Sequence, residues 1–192
     1  CFRVIVRPEV EREPHLGLYL VVGDVLALEA QRVDGRRRFF LQHRGNESAD
    51  LRVGAAHGQR DLVARGPGAL LLDGGDSWQG SATALWTRGQ DMIDAAKLLG
   101  VDVMTAHWEF TYGVDRVKEV VAKDFAGKIE FLAQNVRTAD FGDAVFKDYV
   151  LREVNGVPVA IIGQAFPYTP IANPRHFVAE LTFDVTIRDR SG

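Results

Sequence analysis

Two stretches decide the fold: ALLLDGGDSWQGS, residues 69–81, and VDVMTAHWEFTYG, residues 101–113. Each opens with a short apolar run that predicts a buried strand, and each then passes into a loop rich in polar side chains. Between them, residues 89–99 carry apolar side chains at helical spacing, and Gly100 stands where a helix C-terminal glycine belongs. Strand, helix and strand within about 35 residues predict a βαβ unit with two parallel strands.

Polar residues that can bind a metal ion follow both predicted strands. Ligands of open α/β sheets bind beyond the carboxyl ends of strands, so Asp76 and His107 are expected to lie near each other. Asp73 and Glu109 add two carboxylates, and this set suits Mn²⁺, Zn²⁺, Fe or Mg²⁺. Taken singly, Asp76 is more often a turn residue, His107 a structural histidine and Glu109 a structural acceptor.

The remaining sequence predicts a mixed α/β sheet. Residues 114–124 have the pattern of a second helix, 130–136 of a third strand, and 147–154 and 157–163 of two strands around an Asn-Gly turn. Residues 164–174 hold three prolines and predict a rigid irregular loop. Taken singly, four aromatic residues are most often core residues: Trp78, Trp86, Trp108 and Phe110. Residues 67–180 have clear helix and strand patterns and are expected to form one domain. The segment before them, 1–66, shows no persistent hydrophobic period, and a short tail, 181–192, follows them. The arginine run at 36–38 is interpreted as a solvated loop.

Composition excludes several function classes. The chain has 192 residues, 46% of them hydrophobic, and a net charge of −3, which gives no basis for non-specific nucleic-acid binding. Cys1 is the single cysteine, so an internal disulfide and a cysteine-based metal site are both excluded. No apolar run approaches the length of a membrane span. Because the sequence opens on Cys1 and stops without a fold boundary, we expect it to be an internal piece of a longer protein.

Residues 71–81, LLDGGDSWQGS, resemble the second metal motif of the calcineurin-like metallophosphoesterases, in the version found in 5′-nucleotidases. Those enzymes continue with a Gly-Asn-His-Glu motif, where this chain has Ala106-His107-Trp108-Glu109. Histidine in the asparagine place and tryptophan in the histidine place resemble one branch, the SoxB thiosulfohydrolases. Residues 84–92, 131–136 and 163–174 are similar to that branch as well. The resemblance implies a mixed-sheet α/β sandwich of the metallophosphoesterase type, incomplete in this chain.

The resemblance also implies an activity. SoxB enzymes are periplasmic hydrolases with two manganese ions, and they release sulfate during thiosulfate oxidation. Their substrate is a sulfonate on a sulfur chain attached to a cysteine of the SoxYZ carrier protein. A carrier protein is therefore the expected partner, and neither nucleic acid nor a membrane is expected.

Residue by residue, Asp76 matches the ligand that bridges the two metals, and His107 the ligand that asparagine usually supplies. Trp108 stands on the leaving-group side, where phosphoesterases place a catalytic histidine. This replacement fits the chemistry, because a perthiolate leaves more readily than an alkoxide and needs a general acid less. Asn135 and the loop that holds Gln164 and Tyr168 are candidate walls of the site.

The chain departs from the family pattern in three ways. The first Asp-x-His motif is not found, the later histidine motifs would follow Gly192, and Ala106 replaces a usual glycine, which would be strained at positive φ. We therefore expect the chain alone to bind manganese weakly and to be inactive. Two alternatives stay open at this point: a 5′-nucleotidase-like phosphohydrolase, against which Trp108 argues, and a non-catalytic α/β module.

Overall fold

A computed structural model describes residues 3–6, 18–22, 29–33, 36–40, 54–55, 70–154 and 157–184. The strands within these residues are β1 (Arg3–Val6), β2 (Leu18–Val22), β3 (Glu29–Val33), β4 (Arg36–Phe40), β5 (Gly54–Ala55), β6 (Leu70–Asp73), β7 (Val103–Met104), β8 (Glu130–Phe131), β9 (Val136–Thr138), β10 (Tyr149–Val154), β11 (Val157–Gly163) and β12 (Leu181–Phe183). The helices are α1 (Ala82–Thr87), α2 (Gln90–Leu99), α3 (Val114–Lys123) and the single turn α4 (Thr169–Ala172), with 3₁₀ turns at Glu109–Tyr112 and Arg175–Phe177.

Two sheets dominate the described residues. The larger has the order β5-β1-β6-β7-β8, in which β6, β7 and β8 are parallel and β1 is antiparallel to β6. The smaller has the order β10-β11-β2, with β10 antiparallel and β2 parallel to β11. Strands β9 and β12 form one two-stranded pair, and β3 and β4 form another. This mixed α/β architecture confirms the predicted fold class, and it ties β1 and β2 into sheets shared with later residues.

The predicted βαβ unit is confirmed. Strands β6 and β7 pair in parallel, with Leu72 opposite Val103, and α2 lies between them in the chain. Helix α2 ends at Gly100, whose φ of 69° is left-handed and whose N–H bonds to the carbonyls of Ala96 and Lys97. The buried face is centred on Ile93 and Ala96, while Met92, Ala95 and Leu99, which the helical spacing also predicts on this face, are only partly buried.

The core covers both faces of the parallel strands. Leu71 and Met104 belong to one cluster with Ile93 of α2 and with Val117 and Val120 of α3. Their neighbours along the strands, Leu72 and Val103, point to the opposite face and are also buried. Burial on both faces is typical of parallel strands in α/β folds, and it leaves the strand ends as the place for polar chemistry.

Several expectations about the helices and loops are wrong. Helix α1 was not expected; the Ser81 side chain caps it by accepting from the N–H of Ala84 at 3.0 Å. Because α1 buries only Ala84, Trp86 is 79% exposed rather than in the core, whereas Trp78 and Phe110 are fully buried as expected. The arginine run lies in β4, paired with β3, and is not a loop.

The strand expected at residues 130–136 is divided into β8 and β9 by a turn at Gln134 and Asn135. The expected hairpin is confirmed by the antiparallel register that places Val154 opposite Val157. Its two turn residues, 155 and 156, lie outside the described residues. None of the described helices is long and apolar enough to cross a membrane.

Candidate metal centre

The Asp76 loop, residues 73–81, leaves the end of β6 in a strained turn. Asp73 is fully buried, and its Oδ1 accepts from the N–H of Gly75 at 3.0 Å. Gly75 has a φ of 86° and Asp76 a φ of 62°, which places a non-glycine residue in the left-handed region. That conformation costs about 1–2 kcal/mol for most side chains and less for aspartate. Backbone outliers of this kind cluster at functional sites. The side-chain amide of Gln79 donates to Oδ1 of Asp76.

The His107 loop, residues 105–110, leaves the end of β7. Its imidazole stacks on the ring of Phe166, with centroids 4.3 Å apart and planes 13° apart. Phe166 is held there because its backbone N–H donates to the carbonyl of Ala106 at 3.0 Å. Trp108 completes the aromatic group, 6.1 Å from both rings. Ala106 is not among the residues with positive φ, so the strain considered for this position is not present.

The two loops meet backbone to backbone. A Cβ atom on Gly75 would lie 2.6 Å from the backbone N of His107 and 2.9 Å from the carbonyl oxygen of Thr105. Glycine is therefore required at this position for both its φ and the closeness of the contact. Gly75, the residue before Asp76, contacts His107. The loops after β6 and β7 therefore lie close together, as expected.

Acidic side chains lie beneath the contact. Glu109 is fully buried and accepts from the N–H groups of Ser77, at 2.9 Å, and His107, at 2.6 Å. Burial raises the pKa of the Glu109 carboxyl, and the nearby Asp73 acts in the same direction, while the two backbone hydrogen bonds oppose the rise. Glu109 therefore lies buried within hydrogen-bond distance of the backbones of both loops.

Buried polar atoms without hydrogen-bond partners concentrate in the same two loops. Within the part of the chain that the structure describes, they include Ser77 Oγ, Trp78 Nε1, Gln79 Oε1 and Thr105 Oγ1. Nearly all buried polar groups in native proteins have a partner, which is water or an ion where the protein supplies none. The loops thus have the character of a polar binding site inside an otherwise apolar layer.

The fold matches that of a sulfate thiohydrolase, SoxB, from Thermus thermophilus, solved in complex with glycerol. The sequence identity is 37% and the TM-score 0.57 over 61% of this chain. Over the matched residues, this chain is similar to that SoxB in both fold and sequence. The match covers 21% of the SoxB chain, so this chain spans about a fifth of that protein's length.

Two nucleotidase structures also match. One is a putative 5′-nucleotidase from Staphylococcus aureus in complex with α-ketoglutarate, at 20% identity, TM-score 0.49, and 59% and 22% of the two chains. The other is the NAD nucleotidase of Haemophilus influenzae, at 18% identity, TM-score 0.49, and 86% and 32% of the two chains. No protein-family model matches the chain, and no curated protein does.

The candidate site has donor side chains suited to a divalent cation, but only part of a donor set. Asp76 and His107 offer a carboxylate and an imidazole, both of which Mn²⁺ accepts. Among residues 70–154 and 157–184 and the described strands before them, no three His, Cys, Asp or Glu side chains converge as a metal-binding group. The described residues therefore offer two candidate donor side chains, and a complete metal centre would need further ligands from other parts of the protein.

The three candidate wall residues of the site have different surroundings. Asn135 is buried, and its amide pairs with the backbone of Ala165, donating to the carbonyl at 2.8 Å and accepting from the N–H at 2.9 Å. Gln164 is also buried and accepts from the side chain of Gln134 at 3.1 Å. Both amides therefore hold the loop in place through contacts with the protein. Tyr168 is 55% exposed and packs edge-on against the ring of Phe166, 5.6 Å away.

Sequence reasoning did not single out Phe166. Its signal in the sequence is weak: an aromatic residue just after a predicted strand and just before Pro167. The tertiary structure makes it the residue that stacks on the His107 ring. The structure thus brings Asp76, His107, Trp108 and Tyr168 to one region through Phe166 and Gly75, and it places Asn135 and Gln164 behind that region as supports.

Proposed function

We propose that this chain is part of a SoxB-type thiosulfohydrolase, a metal-dependent hydrolase that releases sulfate from a sulfonate on the carrier cysteine of SoxYZ. The observation that carries the proposal is the contact between the Asp76 and His107 loops at the ends of neighbouring parallel strands. The likeness to SoxB at 37% identity supports the same conclusion. By the same resemblance we propose that the intact protein acts in the periplasm.

Asp76 and His107 would hold manganese in the intact protein. Bound manganese would supply Lewis acidity that activates water and neutralises charge on the sulfonate oxygens. The protein's own contribution is orientation: Phe166 fixes the plane of the His107 ring, and the Gly75 contact fixes the backbone next to Asp76. Ligands held in this way lose little entropy when an ion binds.

Trp108 and its aromatic neighbours suit a sulfur-containing leaving group. Trp108, Phe166 and Tyr168 form a partly exposed aromatic wall beside His107. Sulfur atoms make favourable contacts with aromatic rings, worth roughly 0.3–1.5 kcal/mol each. A perthiolate needs little protonation as it leaves, so a side chain without acid–base function is acceptable at position 108. A phosphohydrolase would gain from a histidine there, which makes phosphoester cleavage the second candidate.

The test uses the full-length gene product that carries these residues, loaded with manganese. We expect about two equivalents of bound metal and release of sulfate from a sulfonated persulfide on a carrier cysteine. Hydrolysis of a nucleoside monophosphate in place of that reaction would favour the second candidate. A protein that binds no metal and attacks neither substrate would be a non-catalytic module.

Two variants and the isolated chain refine this test. Asp76→Asn should weaken manganese binding and abolish sulfate release, because it removes one negative charge from the proposed ligand set. Asp143→Asn, which changes an exposed aspartate outside both loops, should leave both properties unchanged. Residues 1–192 expressed alone should release no sulfate, because the described residues supply only two ligands.

A further inference from the structure

Glu109 joins the two loops of the candidate metal centre. Its Oε1 accepts from the backbone N–H of Ser77 at 2.9 Å, and its Oε2 accepts from the backbone N–H of His107 at 2.6 Å. The side chain is fully buried in the 3₁₀ turn that follows the His107 loop. One carboxylate therefore connects the loops that follow β6 and β7.

Asp76 lies between two contacts that join the loops. The residue before it, Gly75, is in direct backbone contact with His107, because a Cβ atom added to Gly75 would lie only 2.6 Å from His107 N. The residue after it, Ser77, shares the Glu109 carboxylate with His107. The backbone of Asp76 is thus tied to the backbone of His107 at two points, one steric and one hydrogen-bonded.

A carboxylate, and not an amide, matches this position. Both donors are backbone N–H groups, so both oxygens of the side chain must accept. A glutamine would offer one acceptor and turn its NH₂ group against the other N–H. Removing a carboxylate from water costs several kcal/mol of free energy unless other groups compensate its charge. Within the described ranges, no Lys or Arg side chain pairs with Glu109. The two backbone donors are the compensation that the structure provides.

We propose that Glu109 is a positioning residue that sets the spacing of the Asp76 and His107 loops and thereby the metal affinity of the site. The effect on affinity rests on the function proposed above. The effect on loop spacing does not, because it requires only the two hydrogen bonds. Partners that orient metal ligands from behind typically contribute 10- to 100-fold in metal affinity.

The experiment compares Glu109→Gln with wild-type protein and with Glu180→Gln, a matched change at an exposed glutamate paired with Lys118 on the surface. Nuclear magnetic resonance of the metal-free chain monitors the amide protons of Ser77 and His107. In Glu109→Gln at least one of them should move upfield, with little change elsewhere, and neither should move in Glu180→Gln. In the full-length protein, Glu109→Gln should weaken Mn²⁺ binding roughly 10- to 100-fold.

The outcomes separate the two proposals. Unchanged amide resonances in a folded Glu109→Gln variant would overturn the positioning role, and shifted resonances with unchanged Mn²⁺ affinity would overturn its link to metal binding. If the wild-type full-length protein binds no Mn²⁺, the proposed function fails, while the amide shifts still decide whether Glu109 spaces the loops. If Glu109→Gln does not fold, scalar couplings across the hydrogen bonds in the wild-type chain, from the two amide nitrogens to Cδ of Glu109, decide the same point.

Discussion

Gly75 is the residue on which the contact between the two loops depends. It combines a φ of 86° with a position where a Cβ atom would lie 2.6 Å from the His107 nitrogen. Either property alone disfavours a side chain, and here both act at a fully packed point. The neighbouring Asp76, with a φ of 62°, adds a second left-handed residue to the turn, at a smaller cost for aspartate than for most side chains.

Replacement of Gly75 by alanine should lower the free energy of unfolding by about 2 kcal/mol or more, because a backbone clash adds to the strain of positive φ. Gly142→Ala is the matched control: its φ is 71°, but no atom lies within 4 Å of the added Cβ. The control should therefore lose only about 1 kcal/mol. Urea unfolding of the two variants measures the difference, and equal losses would show that the loop contact is not tight.

At the scale of elements, the side chain of Asn135 forms the hydrogen bonds that a continuing strand would form with its backbone. The predicted strand at 130–136 stops after Phe131, and the amide of Asn135 forms a backbone-like pair with Ala165 at the end of β11. Its Nδ2 also donates to the carbonyl of Asp184 at 3.0 Å. This arrangement fixes the start of the loop that carries Phe166 and Tyr168.

Asn135→Ala should destabilise the protein by about 2–4 kcal/mol, because the buried backbone N–H and C=O of Ala165 would lose their partner. Its neighbour offers a control: Gln134→Ala removes one partly exposed side-chain bond and should cost about 1 kcal/mol or less. Chemical unfolding followed by tryptophan fluorescence measures both. A loss for Asn135→Ala no larger than the control's would mean that Asn135 is free to serve as a site wall.

At the scale of the whole molecule, ion pairs around Glu130 connect the two main sheets. Glu130 begins β8 of the larger sheet, and its carboxylate pairs with Lys147 at 2.7 Å and with Arg152 of β10, in the smaller sheet, at 3.2 Å. The hydrogen bond from Lys147 is the largest influence, and together with Arg152 it holds the pKa of the Glu130 carboxyl below its ordinary value of 4.5 against the opposing effect of burial.

This shift predicts a dependence of stability on pH. A carboxyl whose pKa is lowered by folding contributes stability that is fully present above its unfolded pKa, 4.5, and is lost as the pH falls through its folded pKa. Glu130→Gln should thus cost roughly 1 kcal/mol near neutral pH, a modest value because the partners are partly exposed, and less on the acid side. Urea unfolding between pH 3 and 7 measures this, with the exposed Glu153→Gln on β10 as control. A loss that does not change with pH would contradict the ion-pair interpretation.

The parts predicted from sequence are those set by neighbours along the chain. The βαβ unit follows from apolar spacing and from Gly100, and the hairpin follows from alternation on either side of Asn-Gly. Polar residues after two predicted strands indicated Asp76 and His107 as candidate ligands, the resemblance matched them to a two-metal site, and the fold brings their loops into contact. Their role as metal ligands, and that of Trp108 beside the leaving group, remain predictions.

Local patterns alone determined the βαβ unit, the second predicted helix, the hairpin and the presence of polar residues at two strand ends. Only the tertiary structure decided which backbone groups meet there: Glu109 with Ser77, Asn135 with Ala165, and Phe166 with the His107 ring. The physical reason is range. Periodicity and turn chemistry act between residues that are a few positions apart. The two partners in each of these three pairs lie about 30 or more residues apart in the sequence, and they meet because burial of the apolar core brings their segments together.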